Sequence, residues 1–137
     1  MSDVPDSFVH LHTASGYSLR YGADSPAALV ERAAQWGQRA LALTDRDGLY
    51  GAVRFVRACQ SAGVAPILGV DLAVAPSGLL PGPSRTASEQ QRRRTPARGG
   101  TWVDPVPARV LLLARGRQGW ASLSRLVSAA HLSGQRG

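Results

Sequence analysis

Apolar runs alternate with amphipathic stretches along the chain, and this order predicts strands separated by helices. The first apolar run, Ser7–His12, predicts a buried strand, and later runs predict strands at Arg39–Thr44, Ala65–Val74 and Ala108–Arg115. Strands that follow one another through single helices typically form right-handed βαβ units with parallel strands. Four strands and three helices would give an α/β fold in the form of an open half-sheet.

The helices are predicted from their ends and from their apolar spacing. Ser25 is a suitable N-cap, Pro26 a suitable first residue and Gly37 a suitable terminator for the first helix. Gly63 and Gly134 would end the second and third helices. The apolar faces predicted from helical spacing are Leu29, Ala33 and Trp36 in the first helix, Val53, Val56, Cys59 and Ala62 in the second, and Trp120, Leu123, Val127 and Ala130 in the third.

The region 76–107 departs from this order. It is rich in Pro, Gly, Ser and Arg without periodicity, which predicts a flexible, disordered insertion at the surface. Its basic residues could contact phosphates, although a solvated loop is the commoner outcome and no aromatic residue is interleaved among them. These candidate DNA-contacting residues are Arg92, Arg93, Arg94 and Arg98.

Composition narrows the class of protein. The net charge of +7 comes from 16 basic residues set against 9 acidic ones, and all of the basic residues are arginine, a bias typical of a GC-rich genome. The single cysteine, Cys59, excludes an intramolecular disulfide and a zinc site of the CxxC type. No apolar run approaches the ~20 residues of a membrane span, and the first residues lack the apolar core of a signal peptide. We therefore expect a reduced, cytoplasmic protein without a membrane partner.

Polar residues at the predicted strand ends suggest a metal site. His10 and His12 alternate, so both face the same side of a strand, and Ala14 stands where a third imidazole would continue the series. Asp45 and Asp71 would reach the same edge of a parallel sheet, where carboxylates and imidazoles can bind Zn²⁺ or Mn²⁺. Simple hydrogen bonding of the two histidines is the alternative.

Arg46 and Asp47, near the second predicted strand, and His131, in the last predicted helix, could each have a structural role. Arg46 is permanently charged, which opposes a cation, and it is a suitable partner for Asp45 or Asp71. Asp47 could serve as the N-cap of the second helix. His131 falls near the end of the last helix, where a cation favours the helix dipole.

Four segments in order resemble the start of bacterial DNA polymerase III alpha subunits, and most closely their error-prone relatives in high-GC actinobacteria. The segments are FVHLHTASGYSLRYGA, ALALTDRDGLYGAVRF, GVAPILGVDLAV and RVLLLARGRQGWASLSRLVSAAH. That region of the polymerases is the PHP (polymerase and histidinol phosphatase) domain, a distorted (β/α) barrel of seven strands. The resemblance implies that residues 1–137 form the N-terminal part of such a domain, an incomplete barrel interrupted by the insertion.

The family motifs imply a degenerate metal site. Metal-binding members carry HxHT, an aspartate after YS, TDH and GxE. Aligned with these motifs, the chain keeps a ligand type at His12, Asp45 and Asp71 and loses it at Ala14, Tyr21 and Arg46.

The resemblance therefore implies a catalytically silent structural domain with no cofactor, or with Mn²⁺ or Zn²⁺ only if the site still functions. Its partners would be the remaining domains of the polymerase chain, and DNA through the full-length protein. A phosphoesterase or 3′–5′ proofreading exonuclease using His10, His12, Asp45 and Asp71 is one alternative. A basic nucleic-acid-binding module using the arginine run of the insertion is another.

Overall fold

The computed structural model describes residues 8–74 and 108–133 of the chain. The insertion predicted at 76–107, with its candidate DNA contacts Arg92, Arg93, Arg94 and Arg98, lies outside these ranges. None of the helices in the described ranges is both long and apolar enough to cross a membrane. The elements, in chain order, are α1 (Pro26–Gln35), β1 (Ala40–Leu43), α2 (Ala52–Ala62), β2 (Ala65–Ala73), β3 (Arg109–Leu113) and α3 (Gly116–Leu132).

The predicted ends of α1 are confirmed. The Ser25 side chain accepts a hydrogen bond from the backbone N–H of Ala28 at 3.2 Å, and Pro26 begins the helix. Gly37 has φ of 67°, and the N–H groups of Gly37 and Gln38 donate back to carbonyls of the last helical turn. Such a left-handed glycine satisfies the otherwise unpaired carbonyls at a helix C-terminus.

The predicted βαβ unit is confirmed between β1 and β2. The two strands are parallel, with Ala40 opposite Ala65 and Leu43 opposite Leu68, and α2 connects them. Gly63 ends α2 with φ of 69°. A parallel pair directs both strand ends toward one edge of the sheet, which is where the candidate site lies.

The prediction of a wholly parallel sheet is wrong. The last predicted strand, β3, is antiparallel to β2, with Gly69 opposite Leu113 and Ala73 opposite Arg109. A parallel neighbour needs a crossover, whereas an antiparallel neighbour needs only that the chain turns back. Apolar periodicity carries no information on strand direction, so the pattern could not distinguish the two cases.

The prediction of a first strand at Ser7–His12 is also wrong, because residues 8–12, the part of that run that the structure describes, form no strand. The carbonyl oxygens of His10 and Thr13 accept hydrogen bonds from the N–H groups of Ala42 and Thr44, each at 2.9 Å. His10 and Thr13 are three residues apart, whereas Ala42 and Thr44 on β1 are two apart. The segment therefore has one extra residue opposite β1, and such an extra residue interrupts a regular ladder. The described ranges consequently hold three strands instead of four, in the order β1-β2-β3.

Two apolar clusters lie on the sheet, and they correct part of the predicted helix faces. The α3 face is confirmed, since Leu123 and Val127 are buried against β2. Trp36 and Val53 were assigned to buried faces but are 57% and 65% exposed. Apolar residues occur on more than one side of α1 and α2, and contact with the neighbouring element selects the buried side. The cluster between α1, α2 and β1 contains Val30, Ala33, Leu41, Leu43, Phe55, Cys59 and Val64.

Cys59 provides a probe of this cluster because its thiol is fully buried. Burial raises the pKa of the Cys59 thiol from 9.0 to about 11, so the reactive thiolate is suppressed at pH 8. We expect a thiol reagent to label the native chain only as fast as the chain unfolds, and to label it rapidly in urea.

The pH dependence of this effect has a defined sign. The unfolded thiol ionises near pH 9 and the folded thiol near 11, so its contribution to stability is complete below pH 9 and is lost as the pH rises to 11. A Cys59→Ala/Ser61→Cys variant, with its thiol at an exposed position of α2, is the control and should label quickly without urea. Equal labelling rates for the two native proteins would contradict this packing.

Candidate functional site

Asp45, Arg46, Asp71 and His12 lie together at the strand ends, whereas His10 does not join them. Arg46 forms a parallel bridge with Asp71, immediately beyond the β1–β2 ladder. The Asp71 N–H donates to the Asp45 carbonyl at 3.1 Å, and the Asp47 N–H donates to the Asp71 carbonyl at 2.9 Å. We call Asp45, Arg46, Asp47, Asp71 and Arg109 the strand-end cluster.

Asp45 is buried and serves as a hydrogen-bond acceptor. Its Oδ1 accepts from the backbone N–H of Ser15 at 2.7 Å and from the Ser18 hydroxyl at 2.7 Å, and the Ser15 hydroxyl donates to Oδ2 at 2.8 Å. Ser15 and Ser18 are themselves buried. A buried carboxylate requires such donors, so Asp45 holds the loop that carries the two serines against the end of β1.

The same loop is locked by a close backbone approach. The Ser18 hydroxyl oxygen also accepts the N–H of Arg46 at 2.9 Å, and the Gly22 N–H donates to the Ser18 carbonyl at 3.0 Å. A Cβ at Gly22 would lie 2.2 Å from the Ser15 carbonyl oxygen, so only glycine fits there. The loop is thereby held in place from Ser15 to Gly22, and sequence analysis did not detect this role of the two serines.

Asp71 lies at the centre of the strand-end cluster. Its Oδ1 accepts from Arg109 Nε at 2.9 Å, and its carbonyl oxygen accepts from Arg109 Nη2 at 2.6 Å. Its Oδ2 lies 3.6 Å from His12 Nε2 and 4.0 Å from Arg46 Nε. The predicted pairing of Arg46 with Asp71 is therefore present, but Arg109 makes the closer contact.

Arg109 was missed by sequence analysis, although it is the best-connected cation of the cluster. Besides Asp71, its Nη2 lies 3.0 Å from Asp47 Oδ1. Burial alone would lower the pKa of the Arg109 guanidinium, but the hydrogen bonds and negative charges of Asp71 and Asp47 outweigh burial and raise it. The only signal in the sequence was an arginine near the start of a predicted strand. The antiparallel pairing of β3 with β2 places this arginine beside Asp71.

Arg46 is enclosed on its other side by an aromatic ring. Its guanidinium carbon lies 3.5 Å from the centroid of the Tyr21 ring, a stacked cation–π contact. Arg46 thus lies between the Tyr21 ring and the Asp71 carboxylate.

The prediction that Asp47 caps α2 is wrong. Gly51 is the N-cap residue and provides no side-chain hydrogen bond. Asp47 instead adopts φ of 52°, and its Oδ1 accepts from the Ala73 N–H at 2.9 Å. Its carbonyl oxygen lies 2.6 Å from His131 Nε2, so that nitrogen donates and joins the end of α3 to the cluster.

The two early histidines have separate surroundings. His12 reaches Asp71, whereas His10 makes an edge-to-face contact with Phe8 at a centroid distance of 4.8 Å. Both line one cavity together with Ala14, in agreement with their alternation. Across the described parts of the chain, His10 forms no hydrogen bond or ion pair with Asp45 or Asp71.

The cluster does not fit a bound metal ion. A cation site needs several imidazole, thiolate or carboxylate ligands around one point. Within residues 8–74 and 108–133, no three such side chains are grouped so that they could hold a metal. Asp45 is occupied by Ser15 and Ser18, and Asp71 is shared between guanidinium groups, which cannot coordinate a cation.

The ion pairs of Arg109 with Asp71 and Asp47 predict that this residue stabilises the folded chain. Arg109→Met keeps an unbranched side chain but leaves Asp71 and Asp47 without their closest cation. We expect the free energy of unfolding in urea to fall by about 2 kcal/mol or more. The matched control Arg117→Met, at an exposed position in α3, should change it by less than about 0.5 kcal/mol. Equal losses in both variants would show that the ion pairs contribute nothing.

Comparisons with known proteins agree with this arrangement of motifs. The error-prone DNA polymerase of Mycolicibacterium paratuberculosis is 40% identical over 133 residues, covering 97% of this chain and 10% of that protein. The corresponding polymerase of Nocardia farcinica is 38% identical over 150 residues, covering 95% of this chain and 13% of that protein. This chain thus spans about a tenth of the length of these curated relatives.

A solved amidohydrolase from Chromobacterium violaceum is 32% identical with a TM-score of 0.47, over 50% of this chain and 24% of that chain. The PHP domain family matches residues 10–137. The resemblance inferred from the motifs is therefore confirmed, and this chain belongs to the PHP domain family.

Proposed function

We propose that the chain is the N-terminal PHP region of an error-prone type of DNA polymerase, and that this region is a catalytically silent structural platform. The observation that carries the proposal is the stacking of Arg46 on Tyr21 at 3.5 Å beside Asp71. Two positions where metal-binding members have ligands thus hold residues that bind each other. A side chain already engaged in this way is not free to coordinate an ion.

The charge balance of the cluster supports the same proposal. Asp47 and Asp71 are paired with the guanidinium groups of Arg46 and Arg109. In a metal-binding site the ion itself balances its carboxylates. Here covalently attached, permanently charged groups do so, and they would repel a divalent cation.

The full-length protein would supply the polymerase chemistry. The chain spans about a tenth of its polymerase relatives, so nucleotide transfer in replication or translesion synthesis is assigned to other domains of a cytoplasmic polymerase chain. DNA would be a partner through those domains. The PHP region would contribute a folded surface on which they pack.

The alternative enzymatic function would need a different spatial arrangement of the same residues. A phosphoesterase or proofreading exonuclease using His10, His12, Asp45 and Asp71 must bring these groups around one cation. Asp45 is instead buried beneath Ser15 and Ser18, and His10 contacts Phe8. Hydrogen bonds of Asp45 and Asp71, the approach of His12 to Asp71 and the ring contact of His10 therefore explain these residues better than catalysis does.

Metal content tests the proposal directly. The chain is purified with added Mn²⁺ and Zn²⁺ and examined by elemental analysis beside His12→Ala. We expect both proteins to contain far less than one ion per chain, because the cluster lacks a set of ligands. A combined Ala14→His/Arg46→His variant, which adds two imidazoles near His12 and removes a guanidinium, should retain more zinc than the wild type.

A stoichiometric metal in the wild type that disappears in His12→Ala would contradict the silent platform. Manganese-dependent release of nucleotides from DNA, abolished by the same substitution, would then establish the exonuclease alternative. His10→Ala is a useful comparison, because within the described residues His10 packs on Phe8 and makes no hydrogen bond or ion pair with the cluster. Its loss should leave the metal content unchanged.

A further inference from the structure

A groove of about 330 Å³ is bordered by α2, β2 and α3, and we call it the α2–α3 groove. Its lining is apolar with the exception of one arginine, and it consists of Ala52, Val53, Val56, Arg57, Leu68 and Trp120. Val53 is 65% exposed, so the apolar surface of the groove is open to a partner. Exposed apolar surface rimmed by charged residues is typical of an interaction site.

The two helices that form the walls of the groove carry positive charge only. Their sequences, AVRFVRACQSA in α2 and GRQGWASLSRLVSAAHL in α3, contain no aspartate or glutamate. Arg57 lines the groove, and Arg117 comes three residues before Trp120, which places both on the same side of α3. The two arginines are exposed, and neither forms an ion pair within the described residues. Both walls therefore present an unneutralised cation.

The floor of the groove offers no backbone pairing to an occupant. Leu68 belongs to β2, which is paired with β1 on one side and with β3 on the other. An extended peptide therefore finds no free sheet edge to join at this point. Two helices that flank an apolar floor instead suit a third helix, whose side chains pack between theirs.

A second copy of the chain and nucleic acid fit the groove less well than an acidic helix does. A second copy would bring together two chains that each carry a net charge of +7. Outside the strand-end cluster, the described residues include only two acidic ones, Asp24 and Glu31. Nucleic acid would contact the arginines, but its phosphates would leave Val53 and Leu68 uncovered, and the only aromatic ring in the lining is the half-buried Trp120.

We propose that the α2–α3 groove binds an amphipathic helix of a partner protein, with an apolar stripe bordered by aspartate or glutamate. The apolar side chains of this helix cover Leu68 between Val53 and Trp120, and its carboxylates pair with Arg57 and Arg117. Burial of the stripe supplies affinity, and the charges select acidic helices over basic ones. The groove shares no residue with the strand-end cluster, so its test does not depend on the metal content of the chain.

Fluorescence anisotropy of a labelled synthetic peptide, titrated with the 137-residue chain, tests the proposal. The peptide is a helix of about 18 residues with leucine at i, i+3, i+4 and i+7 spacing and glutamate beside this stripe. A second peptide has the same composition in an order that breaks the stripe, and a third has lysine in place of each glutamate. We expect the first peptide to bind about tenfold more tightly than the second, and the third not to bind.

A pair of variants tests the apolar contact. Val53→Glu removes apolar surface and places a like charge beside the peptide, at an exposed position where glutamate suits a helix. It should weaken binding of the first peptide by about tenfold or more. Leu126→Glu is the matched control, because Leu126 is 48% exposed on α3 and does not line the groove. It should leave the affinity unchanged, and both variants should unfold at the temperature of the wild type to within a few degrees.

A second pair of variants tests the charges. Arg57→Gln should weaken binding of the first peptide by about threefold and reduce the dependence of binding on salt. Arg125→Gln removes an equal charge at an exposed position of α3 that does not line the groove. It should change neither the affinity nor the salt dependence.

The proposal is overturned if the two glutamate peptides bind equally well, because the chain then recognises charge without the apolar stripe. Equal binding of the first peptide by Val53→Glu and Leu126→Glu would also overturn it. Short duplex DNA that binds more tightly than the first peptide, and loses this binding in Arg57→Gln, would assign the groove to nucleic acid. A wild-type dimer that Val53→Glu converts to a monomer would assign the groove to a second copy.

Discussion

The arrangement of the strand ends depends on the neutralisation of Asp71. Parallel strands bring their carboxyl ends to one edge of the sheet, and here that edge gathers three aspartates within hydrogen-bonding distance of one another's backbones. Carboxylates that are largely buried need positive partners or several donors. Arg109 provides a positive charge to both Asp71 and Asp47, and Arg46 provides a second one to Asp71.

The buried carboxylate of Asp45 is stabilised by hydrogen bonds without a positively charged partner. Two serine hydroxyls and one backbone N–H satisfy its carboxylate, and the loop that delivers them also presents Tyr21 to Arg46. The loop, the strand end and the guanidinium are therefore mutually dependent. The contact between Tyr21 and Arg46 therefore ties the loop to the end of β1.

The strand-end cluster joins four elements of the fold. Asp45, Arg46 and Asp47 follow β1, Asp71 belongs to β2, Arg109 belongs to β3, and the Asp47 carbonyl binds His131 of α3. The cavity lined by the two early histidines differs from this cluster, because its lining includes the exposed ring of Trp36.

Local signals in the sequence determined the helix ends at Ser25, Gly37 and Gly63, the βαβ unit and the meeting of Arg46 with Asp71 at one sheet edge, because caps, terminators and parallel crossovers act over short distances. Tertiary structure alone decided that β3 is antiparallel, and hence that Arg109 reaches Asp71. It also decided that residues 8–12 form no regular strand and that Trp36 faces outward. Periodicity records which residues are apolar, whereas strand direction, register and the choice of buried face depend on contacts between distant segments.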